Sequence, residues 1–93
     1  MPRYPFILLR NPRAIGGGML GGHVESRHRT LANAIKAQIA LNRACQRVNG
    51  RGTWIPSHPV QVDRDWPVGS AASGTDPGPD VMFDAHDEIG GES

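Results

Sequence analysis

Five basic side chains, Arg29, Lys36, Arg43, Arg47 and Arg51, lie between Ser26 and Val62, a stretch that also holds Arg27 and contains no acidic residue. A helix exposed to water normally mixes signs to gain Glu–Lys pairs along its surface, so an acid-free run this rich in cations is built to meet negative charge. Nine of the ten basic residues in the chain are arginine, whose planar guanidinium grips phosphate or carboxylate through two parallel N–H bonds. The chemistry this points to is anion recognition. Three sources of the anion fit: the phosphates of DNA or RNA, an acidic protein surface, or the chain's own acidic residues.

The other reactive side chains do not assemble into a site by spacing. Gly16-Gly17-Gly18-Met19-Leu20-Gly21 matches the glycine pattern of a dinucleotide loop. It stands five residues away from the nearest strand-like run, no helix begins at its third glycine, and no acid lies between Ser26 and Val62 to hold a ribose. A hairpin tip or loop accounts for it. His23, Glu25, His28, Cys45 and His58 are metal-ligand types without metal-ligand spacing, so no metal and no cofactor is expected. Ser57 and His58 are adjacent between Pro56 and Pro59, which reads as a surface pair rather than a nucleophile beside its base. Cys45 stands alone and reads as a small buried apolar side chain. A non-enzymatic protein is expected.

The formal net charge of +1 hides a division along the chain. Residues 1–53 carry nine basic side chains against Glu25, a net of +8, whereas residues 54–93 carry Arg64 against eight acids, a net of −7. Leu, Ile, Val and Phe number 15 up to residue 62 and only four beyond it, where Gly and Pro supply eight of 31 residues. That composition cannot offset its own ordering entropy, so residues 63–93 are expected to be an acidic tail, flexible or ordered by a partner. Within it Asp80 to Ile89 alternates acids with the apolar anchors Val81, Met82, Phe83 and Ile89, as docking peptides do. No apolar run approaches the roughly 18 residues of a membrane span. The four apolar residues before Arg10 are too few for a secretory signal. A cytoplasmic location and no membrane partner follow as expectations.

The elements that must carry the cations can be placed from the residue pattern. Tyr4 to Arg10, ended by Asn11-Pro12-Arg13, predicts a first strand, and a second, antiparallel strand is expected around His23 to Glu25. Residues from a Ser26 or Thr30 cap to Val48, followed by Asn49-Gly50, predict a helix. On its wheel Leu31, Ala34, Ile35, Ile39, Leu41, Cys45 and Val48 share one half, with Ile35 and Leu41 expected to be buried. Arg29, Lys36, Arg43 and Arg47 occupy the opposite, solvent-facing side. Thr53-Trp54-Ile55 and Val60-Gln61-Val62, interrupted by Pro56 and Pro59, predict a strand confined to a sheet edge.

The expected fold is α+β, one helix on a sheet of two or three strands, with residues 4–62 as a compact head. The alternative is a split β-α-β unit with parallel strands and a right-handed crossover. A unit of this size is marginal by itself, so a second copy or a partner is expected to support it. Size, a compact α/β head and the lack of a catalytic constellation give residues 4–62 a layout that resembles the short anti-CRISPR and related accessory proteins of phages and plasmids. The resemblance implies a stoichiometric inhibitor that occupies a surface of a large protein or nucleoprotein complex through its basic face. The alternative is a free-standing DNA- or RNA-binding protein whose acidic tail masks the same face.

Overall fold

Glycine decides where the chain first reverses. In a computed structural model, which describes residues 2–77, strands β1 (Phe6–Gly16) and β2 (Met19–His28) form a long hairpin. Gly16, Gly17 and Gly18 at its tip have φ of 105°, 58° and 76°, the left-handed region in which a Cβ is strained. Both strands outrun their apolar sequence signals. β1 continues past Arg10 because Asn11 and Pro12 are absorbed between the pairs Arg10–His23 and Arg13–Gly21. Asn11 adopts φ 54° there, a conformation asparagine tolerates better than most side chains. Gly22 is required opposite this irregularity, since a Cβ on it would lie 2.8 Å from the Arg10 carbonyl oxygen.

Helix α1 (Leu31–Asn49) follows. Thr30 is its N-cap, accepting the Asn33 amide at 3.1 Å, and Gly50 closes it with φ 103° and an N–H bond to the Gln46 carbonyl at 2.8 Å. The chain returns through β3 (Ser57–Gln61) and ends the described fold with β4 (Ala71–Thr75). Every strand pairing is antiparallel, which overturns the parallel crossover as an alternative. The α+β class stands, with four strands in place of two or three, ordered β1-β2-β4-β3 and closed into a small barrel by the single pair Gln61–Thr75.

Three expectations change with this topology. Thr53 to Ile55 is the connection between α1 and β3, not strand. Pro59 sits inside β3 opposite Leu8, both buried; it is tolerated because β3 meets β4 at one pair only, leaving that flank close to a sheet edge. The folded unit also runs past residue 62. β4 pairs with β2 from Met19–Thr75 to His23–Ala71, and Ala72 and Trp66 join the core. Ala-Ala-Ser-Gly-Thr has no apolar alternation to announce a strand, and its smallness is what the barrel needs. A Cβ on Gly74 would lie 2.6 Å from the Gln61 carbonyl oxygen and 2.7 Å from Val60 Cγ2.

Ile7, Leu9, Val24, Val60, Val62 and Ala72 fill the barrel, with Leu20 and Trp66 packed against them. Each of the larger aliphatic side chains contributes about 1.5–3 kcal/mol by leaving water. Leu8 is also buried, and strand alternation turns it to the outer face, where α1 packs on β1, β2 and β3. At the centre of the helix contact are Ala34, Gln38 and Asn42. Ile35 and Leu41 are half-buried on its flanks, and Val48 is 82% exposed. The wheel has the correct half turned inward, but two amides that apolar periodicity does not count take the middle.

Replacing Gly74 by Ala should lower stability by about 1–3 kcal/mol, the usual cost of overpacking a tight contact. The Gly21→Ala change is the control, since its Cβ would meet only ordinary neighbours at 3.6–3.8 Å. Thermal unfolding of the two variants side by side checks the crossing of β3 and β4.

Candidate functional site

Gln38 and Asn42 do with hydrogen bonds what apolar residues would do by packing. Gln38 Nε2 donates to the Ser57 carbonyl at 2.8 Å. Asn42 accepts the Ile55 amide at 2.7 Å and donates to the Gln38 carbonyl at 3.0 Å. The connection 50–56 is thereby held against the helix. Its Pro56 carbonyl in turn accepts the Asn11 amide at 2.9 Å, so helix, connection and the irregular part of β1 form one rigid sequence of contacts.

On this frame the basic residues take definite places. Lys36 and Arg47 are exposed on the side of α1 away from the barrel, Arg29 is exposed just ahead of the helix, and Arg51 is exposed in the turn after it. Arg43 departs from its expected solvent-facing place: it is half-buried, its Nε is out of contact with solvent, and the side chain is engaged in an interaction. The stripe is therefore carried by Arg29, Lys36, Arg47 and Arg51. The anchors Val81, Met82, Phe83 and Ile89 lie outside the described residues.

The carboxylates are placed away from that helix face. Residues 2–77 hold ten Lys and Arg against four Asp and Glu, a net of +6. Glu25 stands 3.9 Å from Arg10, and Asp63 3.9 Å from Arg64. Asp65 accepts the Tyr4 amide at 2.9 Å and the Arg3 amide at 3.1 Å. These bonds, first to Tyr4 and then to Arg3, with the nearby charges of Arg27 and Arg3, hold its carboxyl below the usual 3.8. Arg27 also stacks over the Tyr4 ring at 4.8 Å.

The histidines separate. His58 is not a surface residue but 5% exposed in β3, where its Nε2 lies 3.0 Å from Asp76 Oδ1; its neighbour Ser57 is buried too. His28 lies 2.6 Å from the Ser26 hydroxyl, and burial pushes its pKa down, so at neutral pH it adds no cation to the surface. His23 is exposed on β2. Cys45 is half-buried, with Asn49 Nδ2 at 3.5 Å from its sulfur. Among the described residues no three of His, Cys, Asp and Glu converge.

Sequence reasoning missed a second surface. Beyond Arg10, β1 has no β3 residue beside it, and a cleft of about 370 Å³ opens among Arg13, Ile15, Gly21, Gly22, His23 and Ala71. Ile15 is 58% exposed and Trp54, in the connection, 39% exposed. Only the glycine pair inside a strand could have signalled it, since glycine there often marks close approach of another chain or ligand. A larger cleft of about 430 Å³ lies between Met19 and Trp66. Arg64 stacks over Trp66 there at 4.7 Å, and Asp63 beside it cancels the charge.

One helix on a four-stranded antiparallel barrel, with cations spread over the solvent side of the helix, is the class of domain these observations define. No protein family, curated protein or solved structure matches the chain. Among the described residues no helix is long and apolar enough to cross a membrane.

Two outcomes test the frame. The Asn42→Ala change strands the Ile55 amide and should cost about 1–3 kcal/mol, with hydrogen exchange of residues 53–56 speeding up more than that of β2. The Asp65 bonds should respond to acid. Because its folded pKa is lowered, the stability it contributes is complete above the ordinary carboxylate value and is lost as pH falls through the folded one. The Arg3 and Tyr4 amide resonances should therefore titrate below pH 3.8, and Asp65→Asn should abolish that titration.

Proposed function

We propose that this protein is a small non-enzymatic binding protein of the cytoplasm that acts on a nucleic-acid-handling complex by occupying part of its surface, as an inhibitor or accessory factor of a mobile element would. What supports this most is the helix face: Arg29, Lys36, Arg47 and Arg51 are exposed in a stretch without a carboxylate, while the opposite face is committed to the barrel. Cations so displayed attract a polyanion over distances near the Debye length, about 8–10 Å at physiological salt, and fix its orientation more than its final affinity.

A second reading is a free-standing nucleic-acid-binding protein, favoured by the net charge of +6 over residues 2–77. The two separate by salt dependence: direct phosphate binding weakens steeply as salt rises because bound counterions are released, and a contact made chiefly by shape does not.

Reversing Lys36 and Arg47 to Glu should reduce binding to the partner, or to DNA or RNA, at least about tenfold, equivalent to 1.4 kcal/mol. Circular dichroism should stay unchanged, because both side chains project into solvent. Titration of wild type and double variant at two salt concentrations makes the comparison. Equal affinities would reduce the stripe to a solvated face and end both readings.

A further inference from the structure

We infer that the free edge of β1 near the hairpin tip binds an extended, acidic segment of a partner protein, which joins the sheet as an added strand. The site is separate from the helix face and goes beyond the reading above. Three observations meet in one place. The first is unpaired backbone. β3 lies beside β1 only from Phe6 to Arg10, and the Asn11 amide makes the next bond on that side, to the Pro56 carbonyl at 2.9 Å. Among the described residues no strand borders Arg13 to Gly16 on the side of β1 away from β2, and all four residues are exposed. Strand edges of this kind pair with incoming chains. The second is the cleft of about 370 Å³ beside that edge. Leu20, Val24 and Ala72 pack into the barrel, so alternation turns Gly21, His23 and Ala71 outward, and Arg13 is paired with Gly21. Ile15, 58% exposed, borders a bare floor, since a Cβ on Gly21 would lie 3.6 Å from Ile15 Cγ2. The third is charge. Arg13 is exposed at the cleft, no carboxylate lines it, and among the described residues its guanidinium has no ion pair.

An added strand gains affinity from main-chain hydrogen bonds and selectivity from alternate side chains that meet pockets. Arg13 and Ile15 both line the cleft, so the segment that fits carries an acid and, two residues away, a long apolar side chain. The carboxylate meets the Arg13 guanidinium, and opposite charges directly across a strand pair stabilise it. The apolar side chain leans over Ile15 toward Gly21 and Ala71. The edge also rejects other strands. Pro12 offers no amide donor and Arg13 repels cations, both devices that keep an edge from pairing indiscriminately. A second copy of this chain, pairing β1 with β1 about a two-fold axis, would set its own Arg13 against the same edge, like charge facing like. The occupant is therefore a different protein. Nucleic acid has phosphates for Arg13 but no regular row of amides to continue the sheet.

The test titrates the full chain, by fluorescence anisotropy, into a short labelled peptide in which Asp and Leu take turns at every second position with Thr between them. This peptide should bind, and a version with Lys in place of Asp should bind at least about tenfold more weakly. Strand addition has a signature of its own, because only every second amide of an added strand faces its neighbour. Two peptides N-methylated on the two alternate sets of amides should therefore differ, one losing binding and the other keeping it. Arg13→Glu should weaken the peptide about tenfold or more and Ile15→Asp about fivefold or more, with thermal unfolding nearly unchanged because both side chains are exposed. The site is overturned if the peptide does not bind, if both methylated forms bind alike, or if neither variant changes the affinity. It is also overturned if oligothymidylate displaces the peptide and itself loses binding in Arg13→Glu, which would make nucleic acid the occupant. Self-association of the chain that Ile15→Asp abolishes would overturn it by making a second copy the occupant.

Discussion

The path from the helix back into the sheet is set by two buried amides. Gln38 and Asn42 occupy the middle of the face that α1 presents to the barrel, and between them they satisfy the Ser57 carbonyl and the Ile55 amide. A hydrogen bond of this kind adds only about 0.5–1.5 kcal/mol net, but a buried partner left without one costs about 1–3 kcal/mol. The asymmetry makes the arrangement specific: an apolar pair would bind the helix as well but would leave the connection 50–56 without a reason to adopt one path. With the amides in place the connection is fixed, and the Asn11 amide finds the Pro56 carbonyl.

The barrel solves a different problem, that of closing four short strands around very little material. Its interior holds medium-sized aliphatic side chains on three strands and on the stretch beyond β3, and almost nothing on the fourth: Ala72 and Gly74 are the buried residues of β4. A larger residue at Gly74 would collide with the Gln61 backbone, so smallness here serves packing as directly as size does at Leu9 or Val60. The thin closure, one residue pair between β3 and β4, also explains how two prolines can stand in or beside β3 without breaking the sheet.

Charge follows from this layout. The four described carboxylates lie near basic side chains or backbone amides on the barrel side: Glu25 by Arg10, Asp63 by Arg64, Asp65 at the amides of Arg3 and Tyr4, Asp76 by His58. The exposed face of α1 keeps its positive charge uncompensated from within the helix. Repulsion between the exposed helix cations is mild because Lys36 and Arg47 stand eleven residues, about 16 Å, apart along the axis, beyond the screening length at physiological salt.

Local chemistry made part of this molecule legible. Capping by Thr30 and Gly50, the glycine turn of the hairpin, the apolar runs of β1 and β3 and the acid-free helix face all arise from interactions between residues close in the chain, and each left its mark in the amino-acid order. The rest depended on distant contacts. No periodicity announces β4, because its value lies in the room it leaves for Val60 and the Gln61 backbone. The buried centre of α1 is polar because the groups it satisfies belong to the connection and to the first residue of β3, 13 and 19 residues further on. His58 reads as a surface residue until Asp76 arrives from just beyond β4. The meeting of Arg13, Ile15, Gly21 and His23 is likewise a product of strand register, and registers between distant segments are set by the packed fold rather than by any local run of residues.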